Sequence, residues 1–279
     1  MIYYLDGEFV NASAALIPVS DLLILRGYGV FDFLRTYNGE PFHLEAHIDR
    51  LFRSAGYLEL AMKWTREEVI EIVRQTLARN DYNEAYVRLV VTGGDALDGI
   101  TPQDQPRLVV TVEEITPYPL SYYTGGVKII TVNESRYLPS AKSVNYIPAI
   151  LALKQAKRQG AIEAIYTHAD THALEGTTTN LFAFYGDTLV TPIDGILPGI
   201  TRNLVCELAR DIYRLEERNV TIDELYRADE VFITSSTKQI MPVTRVNDTI
   251  IGAGVPGDNT FNLIARFEEH TGVPIVLKT

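Results

Sequence analysis

The 279-residue chain is long enough for one large domain or two smaller ones around a shared cleft. A composition of 46% hydrophobic and 22% charged residues, with mean hydropathy +0.01, supplies a sizeable core; this excludes a fibrous or disordered chain and expects no membrane partner. With 25 Lys and Arg against 36 Asp and Glu, the net charge of -11 has the wrong sign for a nucleic-acid partner.

In chain order, residues 1–5 and 9–10 read as strands around the hairpin signal Asp6-Gly7. An apolar, aromatic run over 29–37 closes at a second such signal, Asn38-Gly39. From Leu44 the period becomes helical, with Ile48, Leu51, Phe52 and Ala55 on one face, and Thr65-Arg66-Glu67-Glu68 starts a second helix carrying Val69, Ile72, Val73 and Leu77. Strands are expected over 86–91 and 107–112, with a long polar loop over 93–102 between them. Two prolines and no period place a linker at 116–124, between a domain 1–115 and a domain 125–279. Beyond it, strands are expected over 127–132, 164–167, 181–184, 188–190 and 230–234, and helices over 148–160, 201–215 and 260–271. One cysteine, Cys206, permits no internal disulfide, and Asp6 and Glu8 fall where a leader would be basic and then apolar, so a cytoplasmic location is expected.

Among the lysines (Lys63, Lys128, Lys142, Lys154, Lys157, Lys238 and Lys278), Lys142 stands apart. It lies in Pro139-Ser140-Ala141-Lys142-Ser143-Val144-Asn145-Tyr146, small and polar residues leading into a helix, where a desolvated amine could attack a carbonyl. On pattern alone a solvated loop lysine is the commoner case. Leu174-Glu175-Gly176-Thr177-Thr178-Thr179-Asn180 offers a carboxylate and hydroxyls to a polar ring, or is a plain turn. Leu197-Pro198-Gly199-Ile200-Thr201-Arg202 puts free helix-start amides beside a hydroxyl, and Thr234-Ser235-Ser236-Thr237 adds hydroxyls that could close on the same anion. Each taken alone is more often a cap or a turn; their joint order is what is specific. No metal site is expected.

Those four segments, with Asp229-Glu230-Val231-Phe232 through Pro242-Val243, Arg26-Gly27-Tyr28-Gly29-Val30-Phe31 and His47-Ile48-Asp49-Arg50-Leu51, resemble the class IV, fold type IV pyridoxal-phosphate aminotransferases over nearly the whole chain. The resemblance implies an α/β (α+β) fold: a small N-terminal α/β domain and a larger C-terminal pseudo-barrel domain, with pyridoxal 5'-phosphate between them. It implies that Lys142 is the Schiff-base lysine and proton carrier, that Glu175 holds the pyridine nitrogen protonated, and that Tyr146 bonds the cofactor phenolate. Arg50, the backbone of Ile200, Thr201, Ser235 and Ser236 would hold the phosphate.

Phe31, Arg35, Tyr86 and Arg88 resemble the substrate side of branched-chain aminotransferases. Thr92-Gly93-Gly94-Asp95 lacks the arginine and histidine of the familiar D-amino acid transaminases. Phe33 replaces a usual glycine, and Leu25-Arg26-Gly27-Tyr28-Gly29 with Asp98-Gly99-Ile100-Thr101-Pro102 resembles atypical D-amino acid transaminases, which makes Arg26 a substrate candidate too. The expected function is transfer of an amino group between an α-amino acid and a 2-oxo acid, branched-chain-like or of the atypical D type, by a homodimer or higher homo-oligomer. Alternatives are an (R)-amine transaminase, an aminodeoxychorismate lyase and a protein that binds a phosphorylated metabolite non-covalently.

Overall fold

A computed structural model describes residues 1–169 and 171–275; Lys278 and the end of the expected 125–279 domain lie outside the described residues. The chain divides into two units, Met1–Thr116 with Ser140–Tyr146, and Pro117–Pro139 with Ile147–Thr279. Lys142 thus belongs to the first unit, although it follows the first strand of the second in sequence.

In the first unit β1 (Ile2–Leu5), β2 (Glu8–Asn11), α1 (Leu22–Arg26), β3 (Gly29–Tyr37), β4 (Glu40–Pro41), α2 (Leu44–Tyr57), α3 (Arg66–Ala78), β5 (Ala85–Thr92) and β6 (Leu108–Glu114) follow one another. Their strands form a six-stranded antiparallel sheet in the order β2-β1-β6-β5-β3-β4. Alternation decides its two faces. Val30, Leu34, Val87, Leu89 and Val91 point to one side and are buried with Ile48, Leu51 and Ala55 of α2 and Val69 and Val73 of α3. Thr65 caps α3 reciprocally with Glu68, accepting from its backbone N–H at 3.2 Å while Glu68 accepts from that of Thr65 at 2.7 Å.

The second unit continues with α4 (Leu120–Thr124), β7 (Val127–Val132), α5 (Ile147–Arg158), β8 (Glu163–His168), β9 (His172–Gly176), β10 (Asn180–Tyr185), β11 (Thr188–Thr191), α6 (Ile200–Ala209), β12 (Arg214–Glu217), β13 (Val220–Thr221), α7 (Ile222–Leu225), β14 (Glu230–Ser235), β15 (Gln239–Val246), β16 (Thr249–Ile250) and α8 (Asp258–Thr271). A ten-stranded sheet runs β12-β11-β10-β14-β15-β7-β8-β9-β13, with β16 on β15. Its central strands are buried on both faces, so their sequences read as unbroken apolar runs, and Phe182 stacks on Phe232 across β10 and β14 at 4.8 Å. The segment 116–124 contains α4, whose Tyr123 is buried in this unit's core.

One expected element is corrected. The helix expected over 201–215 ends at Ala209, because Ile212 and Tyr213 both donate back to the Ala209 carbonyl and the chain leaves as β12, parallel to β11. Ile212 continues the apolar period, but strand pairing overrides it there.

Candidate active site

The first unit carries the candidates Phe31, Tyr86 and Arg88 on the sheet face opposite its core. β3 and β5 pair Phe33 with Arg88 and Arg35 with Tyr86, so Phe31, Phe33, Tyr86 and Arg88 share that face. Arg88 is exposed, and its guanidinium carbon stands 4.8 Å from the Phe33 ring centroid and 5.8 Å from that of Phe31. The Lys142 segment docks beside β3: Phe31 N–H donates to the Lys142 carbonyl (2.9 Å), Val144 N–H to that of Gly29 (3.1 Å), and Lys142 N–H to Ser54 Oγ (3.0 Å). Lys142 Nζ then lies 4.7 Å from the Phe31 centroid, and Tyr146 meets the same ring edge-on at 5.3 Å. Lys142, Phe31, Tyr146 and Arg88 therefore come together. Arg35 turns away: it is buried, donates to its neighbour's carbonyl at Thr36 (3.2 Å) and covers the Tyr37 ring at 4.3 Å. Arg26 ends α1, exposed, with its guanidinium next to Gly99 of the 93–102 loop.

Arg50 is fixed from the core face. Asp32, fully buried between Phe31 and Phe33, accepts Arg50 Nε (2.8 Å) and Nη2 (2.8 Å) and the Nδ1–H of His47 (2.6 Å). Arg50 and His47 hold the Asp32 carboxyl well below the usual carboxylate range despite its burial, whereas burial pushes His47 below the ordinary histidine value. An arginine needs such a partner to stay buried at a fixed angle.

In the second unit Glu175 is buried at the end of β9. It accepts Leu197 N–H (2.9 Å) and Asn180 Nδ2 (3.5 Å) on one oxygen and Arg136 Nη1 (3.3 Å) on the other. Asn180 also donates to the Leu197 carbonyl (2.9 Å), and a Cβ added at Gly199 would run into Asn180 Oδ1, so glycine there lets the start of α6 approach. That helix start has no side-chain cap; Thr201 and Arg202 in its first turn are buried. At the end of β14, Ser235 and Thr237 hydroxyls share a hydrogen bond (3.1 Å) with Ser236 between them, and the buried Thr234 Oγ1 just before them has no hydrogen-bond partner among the described residues.

These groups fit pyridoxal phosphate by their chemistry. In the second unit an uncapped helix start and clustered hydroxyls with one buried orphan suit a phosphate dianion and a buried carboxylate suits a protonated ring nitrogen; in the first, a carboxylate-backed arginine is of a type that suits an anion. Among the described residues, no cluster of three or more His, Cys, Asp or Glu side chains could hold a metal, and no helix is long and apolar enough to cross a membrane.

Sequence reasoning passed over Asp32, Arg136, Glu163 and Lys238. A carboxylate at a core-facing strand position, as in Val30-Phe31-Asp32-Phe33-Leu34, is the signal that could have found the first; Arg136 carries no local signal.

The amino-transferase class IV family matches residues 29–246. A putative branched-chain-amino-acid aminotransferase of Methanocaldococcus jannaschii is 36% identical over 277 residues, and a D-alanine aminotransferase of Staphylococcus aureus (strain N315) is 31% identical over 275; each alignment covers 96% of both chains. Among solved structures, the branched-chain amino acid aminotransferase of Escherichia coli superposes with a TM-score of 0.91 at 26% identity, covering 98% of this chain and 95% of that one. The T.th. branched-chain amino acid aminotransferase, solved with pyridoxamine 5'-phosphate, gives 0.90 at 28%, covering 97% and 94%. With the family's sequence pattern running through both units and the fold matching throughout, the chain belongs to the class IV aminotransferases, the pyridoxal-phosphate enzymes that its lysine, carboxylate and anion-holding segments resemble.

Proposed function

We propose that the amino donor is an α-amino acid with an apolar side chain, of branched-chain type, and that a 2-oxo acid accepts the group. The observation that carries this reading is the shared sheet face on which Arg88 stands over Phe31 and Phe33 while Lys142 Nζ stands over Phe31. A cation that can take an α-carboxylate is set beside an amine that can move a proton, with apolar rings around them.

When bound, pyridoxal phosphate supplies a conjugated ring that accepts the electron pair left at the substrate α carbon. Lys142 Nζ would anchor it covalently and carry the proton to and from that carbon. Glu175, kept in place by Leu197 N–H and Arg136, holds a proton at the ring nitrogen. Tyr146 would donate to the phenolate oxygen. Arg50, the amides of Ile200 and Thr201, and the hydroxyls of Ser235 and Ser236 bind the phosphate, with Asp32 orienting Arg50.

A second reading, a D-amino acid donor, is favoured by Arg26 standing beside Gly99, which puts an alternative carboxylate-binding arginine at the 93–102 loop. Half-reactions with L-leucine, L-valine, D-alanine, D-glutamate and one (R)-amine decide between the two. Fast conversion of L-leucine supports the first, of D-alanine the second, and of the amine alone neither. Product without an amino acceptor would instead mark a lyase. Borohydride reduction followed by peptide mass mapping should fix the cofactor at Lys142, and Lys142→Ala should lose turnover by at least about a thousandfold; attachment elsewhere would remove the assignment.

We also propose a cytoplasmic homodimer. It is supported by exposed apolar side chains at Leu16, Val19, Ile24, Leu97 and Ile100 of the first unit. Light scattering of the holoenzyme checks the assembly; a monomer would overturn it.

A further inference from the structure

Lys238 is buried in the second unit, directly after the hydroxyl turn of Ser235, Ser236 and Thr237. Ordering and desolvating a lysine is costly, so its contacts ask for an explanation beyond packing. Its backbone N–H donates to Ser235 Oγ (3.0 Å), and its carbonyl accepts from Tyr123 Oη (3.3 Å). Its ammonium donates to Thr178 Oγ1 (2.9 Å), stands 3.6 Å from Glu163 Oε2, and lies 5.7 Å from the Tyr118 ring centroid.

Glu163, fully buried at the start of β8, organises the other end. One oxygen accepts the backbone N–H of Ala164 (2.9 Å) and Thr177 (3.2 Å) and the Thr177 hydroxyl; the other accepts the hydroxyls of Thr178 (2.8 Å) and Thr179 (3.4 Å). Gly176 seals this turn: its N–H donates to the Thr179 carbonyl (2.7 Å), and an added Cβ would strike Thr179 Oγ1. Immediately before it comes Glu175. A continuous chain therefore runs from Ser235 through Lys238, Thr178 and Glu163 to the turn behind Glu175. Thr178 Oγ1 is its middle link, donating to Glu163 while accepting from Lys238.

We propose that Lys238 is a positioning residue that ties the hydroxyl turn at 235–237 to the threonine turn at 177–179, so that the phosphate end and the ring-nitrogen end of the cofactor are held by one connected network. This rests on the reading above that Ser235 and Ser236 hold the phosphate and Glu175 the ring nitrogen. A charge is used where an alkyl chain would pack as well because the ammonium aligns a hydroxyl that faces a carboxylate.

The test titrates apoenzyme with pyridoxal phosphate and, separately, with pyridoxal, reading cofactor absorbance and the melting temperature. Lys238→Met and Thr178→Val should each weaken pyridoxal-phosphate binding about tenfold, and together no further, since both cut the same link. Thr178→Ser, which keeps the hydroxyl, should bind as the parent does. Ser235→Ala should weaken pyridoxal phosphate and leave pyridoxal unchanged. Ser235→Ala with undiminished affinity overturns the phosphate reading itself. If Ser235→Ala is weakened while Lys238→Met is not, or if the Lys238 and Thr178 losses add in full, the link alone is overturned. Should Lys238→Met fail to fold, the Thr178→Val and Thr178→Ser pair decides: equal affinities refute the link, and a loss in valine alone supports it.

Discussion

Two completely buried carboxylates, Asp32 in the first unit and Glu163 in the second, are used in opposite ways. Asp32 is met by one ion, a two-pronged Arg50, and by the ring of His47, so it fixes one cationic side chain. Glu163 is met by amides and threonine hydroxyls, with Lys238 at 3.6 Å, so it fixes the course of a turn. The first arrangement depends on charge, and the second mainly on neutral donors, most of them hydroxyls that can turn to accept as well. Removing charge while keeping shape should therefore separate them.

The largest effect is expected for Asp32→Asn, which strands the buried Arg50 and should cost about 3 to 5 kcal/mol in urea unfolding. An equal or greater loss for Glu163→Gln would break the comparison. Arg88→Ala sharpens it on the opposite face of the same sheet, where the arginine is exposed and stands over aromatic rings. It should leave stability within about 0.5 kcal/mol while weakening carboxylate-bearing donors by about 1.5 to 3 kcal/mol, seen as a raised KM absent for an amine donor. Glu163→Gln keeps one of the two acceptor oxygens, and the threonine hydroxyls facing the new amide can turn to accept from it, so it should cost only about 1 to 2 kcal/mol in the same unfolding measurement.

The smallest effect is in pH. His47 titrates below the ordinary histidine value in the folded protein, so between that depressed value and about pH 6.5 the unfolded chain binds the proton that the native one refuses. The contribution is present above about pH 6.5 and is lost as pH falls; Asp32, also depressed, adds its own loss at more acid pH, below about 4. His47→Gln should flatten the dependence of stability on pH between 7 and 5, read as urea unfolding at the two pH values. An unchanged slope would show that the ring accepts its proton inside the native core.

What could be read from sequence follows the same division. The strands of the first unit are apolar runs bounded by turn signals and its helices carry a helical period, and Lys142, Glu175 and the glycine-led start of α6 sit in short motifs whose chemistry is local. Asp32 and Glu163 were illegible because a carboxylate inside an apolar run looks like an outward-facing residue until the partner element is known, and the side chains that hydrogen-bond them lie 14 to 18 residues away. Arg136 meets Glu175 across 39 residues and Lys238 meets Thr178 across 60. The end of α6 was misjudged for a related reason: β11 captures the segment after Tyr213, and no helical period reports that.

The placement of Ser140–Tyr146 has a consequence for synthesis. Val30 and Phe31 lie on the side of β3 that this segment closes, through Val30 opposite Ser143 and the Phe31 to Lys142 hydrogen bond. When residue 116 leaves the ribosome, that edge has no partner, and about 30 more residues must emerge first. At bacterial-to-eukaryotic elongation rates this is about 2 to 6 seconds during which the strand that will present the aromatic face is open to pairing with other chains. The nascent first unit becomes whole only when the segment around Lys142 arrives.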